Sequence, residues 1–120
     1  MTTPTTIPSV LPREAADEAA AGTALIVDVR ERNEFEQERI EGVVLLPISE
    51  FVARHQSLPR DRPLLMLCAA GSRSTSATMY LLQAGWTDVK NITGGMVGWR
   101  HAALPILTGP SAPGEGDLPG

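Results

Sequence analysis

Short apolar runs alternate along this chain with polar stretches of helical character. Ala24 to Val29 is apolar throughout except for Asp28, which predicts a strand buried on both faces. Val43 to Leu46, stopped by Pro47, predicts a second strand, and Leu64-Leu65-Met66-Leu67-Cys68 a third. Val89 to Ile92 predicts a short fourth. Between them, Pro12 opens an Ala- and Glu-rich segment that predicts a helix to Ala21, ended by Gly22. Glu31 to Glu38 predicts one or two helical turns. Ser49, with Glu50 in the first turn, predicts a capped helix reaching His55. Ser74 to Ala84 places Ala77, Tyr80, Leu81 and Ala84 on one face and ends at Gly85. Gly94-Gly95 opens a last helical segment, Met96 to Ala103.

Strands separated by helices require crossover connections, and these predict a mostly parallel sheet covered on both faces, an α/β fold. Sites in such sheets form outside the carboxyl ends of the strands. Cys68 and the Asp28-Val29-Arg30 segment both fall there. The Thr/Pro-rich residues 1–6 are expected to be flexible, and residues 7–107 to form the domain. Residues 108–120 hold four Gly and three Pro with little to bury, which predicts a disordered tail.

With 120 residues the chain suits one domain, and with 4% aromatics its core must be aliphatic. The net charge is -4 and Lys90 is the only lysine, so no basic stripe exists for nucleic acid. A small anion is still compatible, because one nearby arginine outweighs distant net charge. The single cysteine excludes an internal disulfide and a thiolate-based zinc site. His55 and His101 are isolated in the sequence and read as surface residues without a role, so neither metal nor cofactor is expected. No apolar run is long enough to span a bilayer, and Met1-Thr2-Thr3-Pro4 has no secretory pattern; the expectation is a soluble, cytoplasmic protein with no membrane partner.

The chemistry concentrates after the third strand, where Cys68 is followed by Ala69-Ala70-Gly71-Ser72-Arg73-Ser74 and then a helix. A thiol reacts as its thiolate. The helix directs unpaired N–H groups back at the loop, and Arg73 adds a permanent positive charge; both favour the anion. Gly71 permits a tight curve, and the alanines leave the mouth narrow and unobstructed, so main-chain amides can converge on sulfur. Other readings coexist with this one. A free cysteine also packs as a small hydrophobe. Ser72 and Ser74 can serve only as helix caps. Asp28 and Arg30 are auxiliary candidates that either pair at the strand end or touch substrate. Glu34 fixes the loop that bears it, while Gly94, Gly95 and Trp99 read as turn and packing residues.

Taken together, Cys68-x-x-Gly71-x-Arg73-Ser74 after an aliphatic strand resembles the active-site loop of the rhodanese sulfurtransferases. Leu25 to Glu31 with Glu34-Phe35 resembles that family's Asp-Val-Arg strand end. Gly94-Gly95 with Trp99 resembles its closing Gly-Gly-x-x-x-Trp motif, and Gly85-Trp86 before Val89 also fits. The resemblance covers residues 7–107. It implies an α/β/α sandwich on a mostly parallel five-stranded sheet. It also implies double displacement: the Cys68 thiolate takes a sulfane sulfur from a donor such as thiosulfate, and cyanide or a thiol removes it. On that reading residues 69–74 cradle the persulfide and the anionic donor. The same loop suits a relay module served by a sulfur-donating protein, or, with an inert thiol, a domain that only binds partners. Phosphatases of the family have a loop one residue longer between Cys and Arg, so the shorter loop here favours sulfur. Two departures stand out. Where the family commonly has Gly-His-Ile-Pro-Gly-Ala, this chain has Glu38-Arg39-Ile40-Glu41-Gly42-Val43, with Arg39 at the His position. Ala69 and Ala70 stand where some thiosulfate-using members carry basic residues, so thiosulfate is expected to be a poor donor.

Overall fold

The computed structural model describes residues 7–119; the N-terminal segment 1–6 expected to be flexible lies outside the described residues, as does Gly120. The elements are β1 (Ser9–Val10), α1 (Pro12–Ala20), β2 (Leu25–Asp28), α2 (Arg32–Gln37), β3 (Glu38–Arg39) and β4 (Val44–Leu45). They continue with α3 (Ile48–Arg54), β5 (Leu64–Leu67), α4 (Ser72–Gln83), β6 (Val89–Ile92), α5 (Gly95–His101) and β7 (Leu107–Thr108). Five strands form a parallel sheet in the order β1-β6-β5-β2-β4, with β5 at its centre. Helices cover both faces, so the architecture is an α/β/α sandwich.

The two halves of the core explain why the central strands are apolar without alternation. Leu25, Val27, Leu64 and Met66 face one layer with Phe51 of α3 and Ala77 and Leu81 of α4. Ile26, Leu65 and Leu67 face the other with Ala15 of α1, Phe35 of α2, and Met96 and Trp99 of α5. Successive strand residues point to opposite faces, and here both faces are dry. Asp28 is the exception: it is fully buried at the carboxyl end of β2, opposite Leu67 of β5.

Several expectations are corrected. β1 joins the edge of the sheet through Ser9 and Val10 opposite Asn91 and Ile92, too short a strand to stand out in the pattern. The α3 helix starts at Ile48 after Pro47, so Ser49 lies inside it; its hydroxyl donates to Glu31 Oε1 at 2.9 Å instead of capping. His55 is buried, not on the surface: its ring stands edge-on to Tyr80 at 4.9 Å, and Nδ1 meets the Val52 carbonyl at 2.8 Å.

The expected disordered tail is instead strapped onto the domain. Thr108 and Leu107 of β7 pair antiparallel with Glu38 and Arg39 of β3. Arg39 is buried, and its guanidinium binds the Glu115 carboxylate and donates to the carbonyls of Gly109 (2.5 Å) and Pro110 (3.3 Å). The Ser111 amide donates to Glu36 Oε1 at 2.8 Å, and the Leu45 amide, on the open edge of β4, donates to the Gly116 carbonyl at 2.7 Å. Gly116 sits so close to Phe35 that a Cβ there would stand 2.9 Å from the ring. A Gly/Pro-rich composition signals disorder only when nothing holds the chain; here a buried cation and an unpaired strand edge do.

Candidate active site

β5 delivers Cys68 to the carboxyl end of the sheet, where the residue is only 1% exposed and the thiol is free. Gly71 takes φ +110°, a backbone angle that side chains disfavour, and this bends the loop back on the sulfur. The Gly71 amide donates to Cys68 Sγ at 3.0 Å. Ser74 Oγ lies 3.2 Å from the same sulfur. Gly71, not a serine, occupies the cap position of α4, so neither Ser72 nor Ser74 caps that helix; Ser74 is fully buried against the sulfur, while Ser72 and Ala70 are exposed and Ala69 half-buried.

The loop keeps this shape because its carbonyls are drawn away from the sulfur. The amides of Met96 and Val97, in the first turn of α5, donate to the carbonyls of Cys68 (2.8 Å) and Ala69 (3.1 Å). The Gly71 carbonyl accepts from the Thr75 amide at 3.1 Å and the Thr75 hydroxyl at 2.6 Å. The amides of Ser72, Arg73 and Ser74 open α4 and have no protein acceptor among the described residues, as befits the first turn of a helix. Gly95 makes the approach of α5 possible: a Cβ there would stand 2.3 Å from the Cys68 carbonyl oxygen and 2.9 Å from that of Ala69. The Gly-Gly pair is therefore a condition of the loop's geometry and not only a turn.

Arg73 does not reach for the sulfur with its fork. Its two terminal nitrogens bind both oxygens of Glu34, at 2.7 and 2.9 Å. The Glu34 carboxyl is held down to about 2, chiefly by these hydrogen bonds, with help from the Glu31 amide and against the cost of burial. Arg73 in turn is held more firmly protonated, chiefly by its hydrogen bonds with Glu34. Glu34 thus fixes the start of α2 and also ties α2 to the Cys68 loop.

Asp28 and Arg30 find each other. Arg30 donates from Nη2 to Oδ2 at 2.8 Å, from Nε to both oxygens at 3.1 Å, and from its amide to Oδ1 at 3.0 Å. It also donates to the carbonyls of Glu34 (3.4 Å) and Glu38 (2.9 Å). Burial pushes the Asp28 carboxyl up, and the hydrogen bonds and charge of Arg30 oppose that rise. Both residues are buried and neither hydrogen-bonds Cys68, so the pair braces α2 from below.

One residue of the site escaped the sequence reading. Asn91 of β6 places Oδ1 2.5 Å from Ser74 Oγ. A polar residue of low strand propensity, between Val89 and Ile92, was the available signal. Among the described residues, no three His, Cys, Asp or Glu side chains cluster as metal ligands. No helix among them is long and apolar enough to cross a membrane.

The same frame occurs in known proteins. A model of the rhodanese-like domain matches residues 11–102. A sulfurtransferase of Allochromatium vinosum is 36% identical over 83 residues, 69% of this chain and 78% of the relative. A thiosulfate sulfurtransferase, GlpE, of Pseudomonas savastanoi pv. phaseolicola is 34% identical over 93 residues, 75% of this chain and 85% of the relative. Among solved structures, a rhodanese-related protein from Thermoplasma volcanium aligns with a TM-score of 0.77 at 27% identity, over 83% of this chain and 97% of that one. A thiosulfate sulfurtransferase from Pseudomonas aeruginosa aligns with a TM-score of 0.76 at 27% identity, over 88% of this chain and 21% of that one.

Proposed function

This chain belongs to the rhodanese-like domain family, and from that premise we propose that it is a sulfurtransferase in which Cys68 carries the migrating sulfur. One observation carries the reading: the sole cysteine has its Sγ 3.0 Å from the Gly71 amide and 3.2 Å from the Ser74 hydroxyl, at the positive end of a 12-residue helix. Donors converging on a buried sulfur stabilise it as an anion, and charge-assisted hydrogen bonds are the stronger kind.

In the first step the Cys68 thiolate attacks the outer sulfur of the donor. With thiosulfate, the donor's S–S bond breaks, sulfite leaves with the electron pair, and a new S–S bond joins that sulfur to Cys68. The negative charge moves to the outer sulfur, for which the amides of Ser72, Arg73 and Ser74 are the available donors. In the second step cyanide or a thiolate attacks the outer sulfur, the pair of the S–S bond returns to Cys68, and thiocyanate or a new persulfide departs. Each step is a displacement at sulfur and needs no external oxidant. Arg73 contributes charge and holds the loop through Glu34. The lone thiol suits a reducing compartment such as the cytoplasm.

A second reading, relay of sulfur from a protein persulfide, is favoured by the charge pattern. The fork of Arg73 is occupied by Glu34, that of Arg30 by Asp28, and Ala69 and Ala70 carry no charge. A dianion such as thiosulfate therefore meets less attraction at this mouth than at one with a free cation, while a persulfide carries a single charge. Whole-protein mass spectrometry after exposure to thiosulfate, a low-molecular-weight persulfide or a loaded cysteine desulfurase separates the two. Addition of one sulfur, its removal by cyanide with release of thiocyanate, and no addition to Cys68→Ser are expected. A folded protein that takes sulfur from none of these donors would sink both readings.

A further inference from the structure

Ser74 has one proton and three acceptors within reach. Its Oγ lies 2.5 Å from Asn91 Oδ1, 3.2 Å from Cys68 Sγ and 3.2 Å from the Gly71 carbonyl. A serine hydroxyl donates once and accepts through two lone pairs. A separation of 2.5 Å belongs to O–H···O bonds and is too short for N–H···O bonds. The oxygen end of the Asn91 amide therefore faces the hydroxyl and takes its proton. The Gly71 carbonyl already receives the amide and the hydroxyl of Thr75. What Ser74 then turns toward Cys68 is a lone pair, which accepts a proton from a thiol and repels a thiolate.

The scaffold fixes this arrangement from both sides. The Asn91 main-chain amide donates to the Pro8 carbonyl at 2.8 Å, and its backbone lies between Ser9 of β1 and Met66 of β5. Ser74 is fully buried, with its carbonyl accepting from the Thr78 hydroxyl at 2.7 Å. We infer that Asn91 is a positioning residue that restrains Cys68: by taking the Ser74 proton it leaves Oγ as an acceptor for the thiol, and Ser74 can serve the thiolate only by leaving Asn91. The Gly71 amide and the first turn of α4 face the sulfur in either case. The hydroxyl proton thus follows the charge on Cys68 Sγ. It stays with Asn91 while that sulfur is neutral, as a thiol or as the inner sulfur of a persulfide, and is contested when the outer sulfur departs and the thiolate returns. The inference rests on the reading that Cys68 works as a thiolate.

Because the chain has one cysteine, alkylation by uncharged iodoacetamide reports on Cys68 alone. Only the thiolate reacts, so the rate climbs with pH to a plateau where the thiol is fully ionised. The test compares the full chain, Asn91→Leu, Ser74→Ala and the double variant across that climb. Leucine is close to asparagine in shape and accepts no proton, so Ser74 is left free to donate to the sulfur. Asn91→Leu is expected to raise the rate at the foot of the climb about fivefold, the scale of one net hydrogen bond, and to leave the plateau no higher. In the Ser74→Ala background the same change should raise nothing, because no hydroxyl proton is left to redirect. A foot that stays level or falls, or a gain that persists without the Ser74 hydroxyl, would overturn the inference. So would a foot and a plateau that rise together, the mark of a loosened loop that only admits the reagent. Thermal melting checks each fold; if Asn91→Leu does not fold, Asn91→Val takes its place under the same criteria. Sulfur loading of the unmodified chain is scored separately. The expected gain without loading would leave this inference standing and remove the transfer reading; loading without the gain would do the reverse.

Discussion

At the scale of single residues, the site depends on atoms that carry no charge. Gly95 shows this best, since any side chain there would drive into the carbonyls of Cys68 and Ala69 that α5 must hold. Gly95→Ala is expected to push α5 away from the loop, release those two carbonyls from the Met96 and Val97 amides, and lower sulfur loading at least tenfold. Loading measured by mass, beside a melting curve showing a folded protein, checks it. Gly22→Ala is the control, because nothing lies within 4 Å of a Cβ there although its φ is also positive. The charged residue to vary is Glu34. Its carboxyl is held down to about 2 from an ordinary 4.5, so its pair with Arg73 contributes stability that is fully present above 4.5 and is lost as pH falls toward 2. Glu34→Gln should lower stability at neutral pH by about 1 kcal/mol, a modest figure because the pair is one-third exposed and partly screened by solvent. It should also flatten the fall in stability over that acid window. Denaturant melts at a series of pH values check both effects.

At the scale of elements, the sequence and the structure agree where burial leaves no choice. β2 and β5 are legible because their side chains are dry on both faces, so a run that is apolar except for Asp28 at the end of β2 admits one reading once flanking helices limit its length. The loop from Cys68 to Ser74 is legible because its chemistry and its backbone demands coincide in one short segment. β1 is not, since two edge residues carry no period. Asn91 is not, because its partner is Ser74 on α4, and a contact between a strand and a distant helix leaves no mark in local spacing. Ser49 misleads for a related reason: Pro47 starts α3 early, and the serine that looks like a cap is taken by Glu31. The tight fit of α4 on β5 and β6 makes a direct prediction. Leu81 is fully buried in that interface, and Leu81→Ala should cost about 2–5 kcal/mol through lost burial and the cavity left behind. Its alkylation rate, measured well below the melting point, should stay near that of the unmodified chain, because Leu81 lies about two helical turns beyond Ser74 on α4. Urea melts and iodoacetamide kinetics on the same sample check the two halves.

At the scale of the whole molecule, the departure at Arg39 and the order of the C-terminal segment are one phenomenon. A guanidinium buried at this place needs several acceptors, and the domain core supplies none; the tail brings the carbonyls of Gly109 and Pro110 and the carboxylate of Glu115. Once anchored, the tail covers the edge of β4 through the Gly116 carbonyl and leans on Phe35, which belongs to the same short helix as Glu34. An open strand edge invites pairing with other chains, and a strap of this kind closes it. The hydrogen bonds of Arg39 hold the Glu115 carboxyl below the usual range, and those of Ser111 do the same for Glu36. Both groups therefore fasten the tail above the ordinary glutamate range and let it go as pH falls through their lowered values. Arg39→Ala, or removal of residues 109–120, should free the Leu45 amide, which then exchanges its hydrogen at least about tenfold faster, as expected of a locally opened edge. The two changes combined should accelerate exchange little more than either alone, because both act by lifting the same strap. Exchange of Leu45 that stays slow in either variant would mean that β4 is sealed without the tail and that Arg39 fastens nothing the fold depends on.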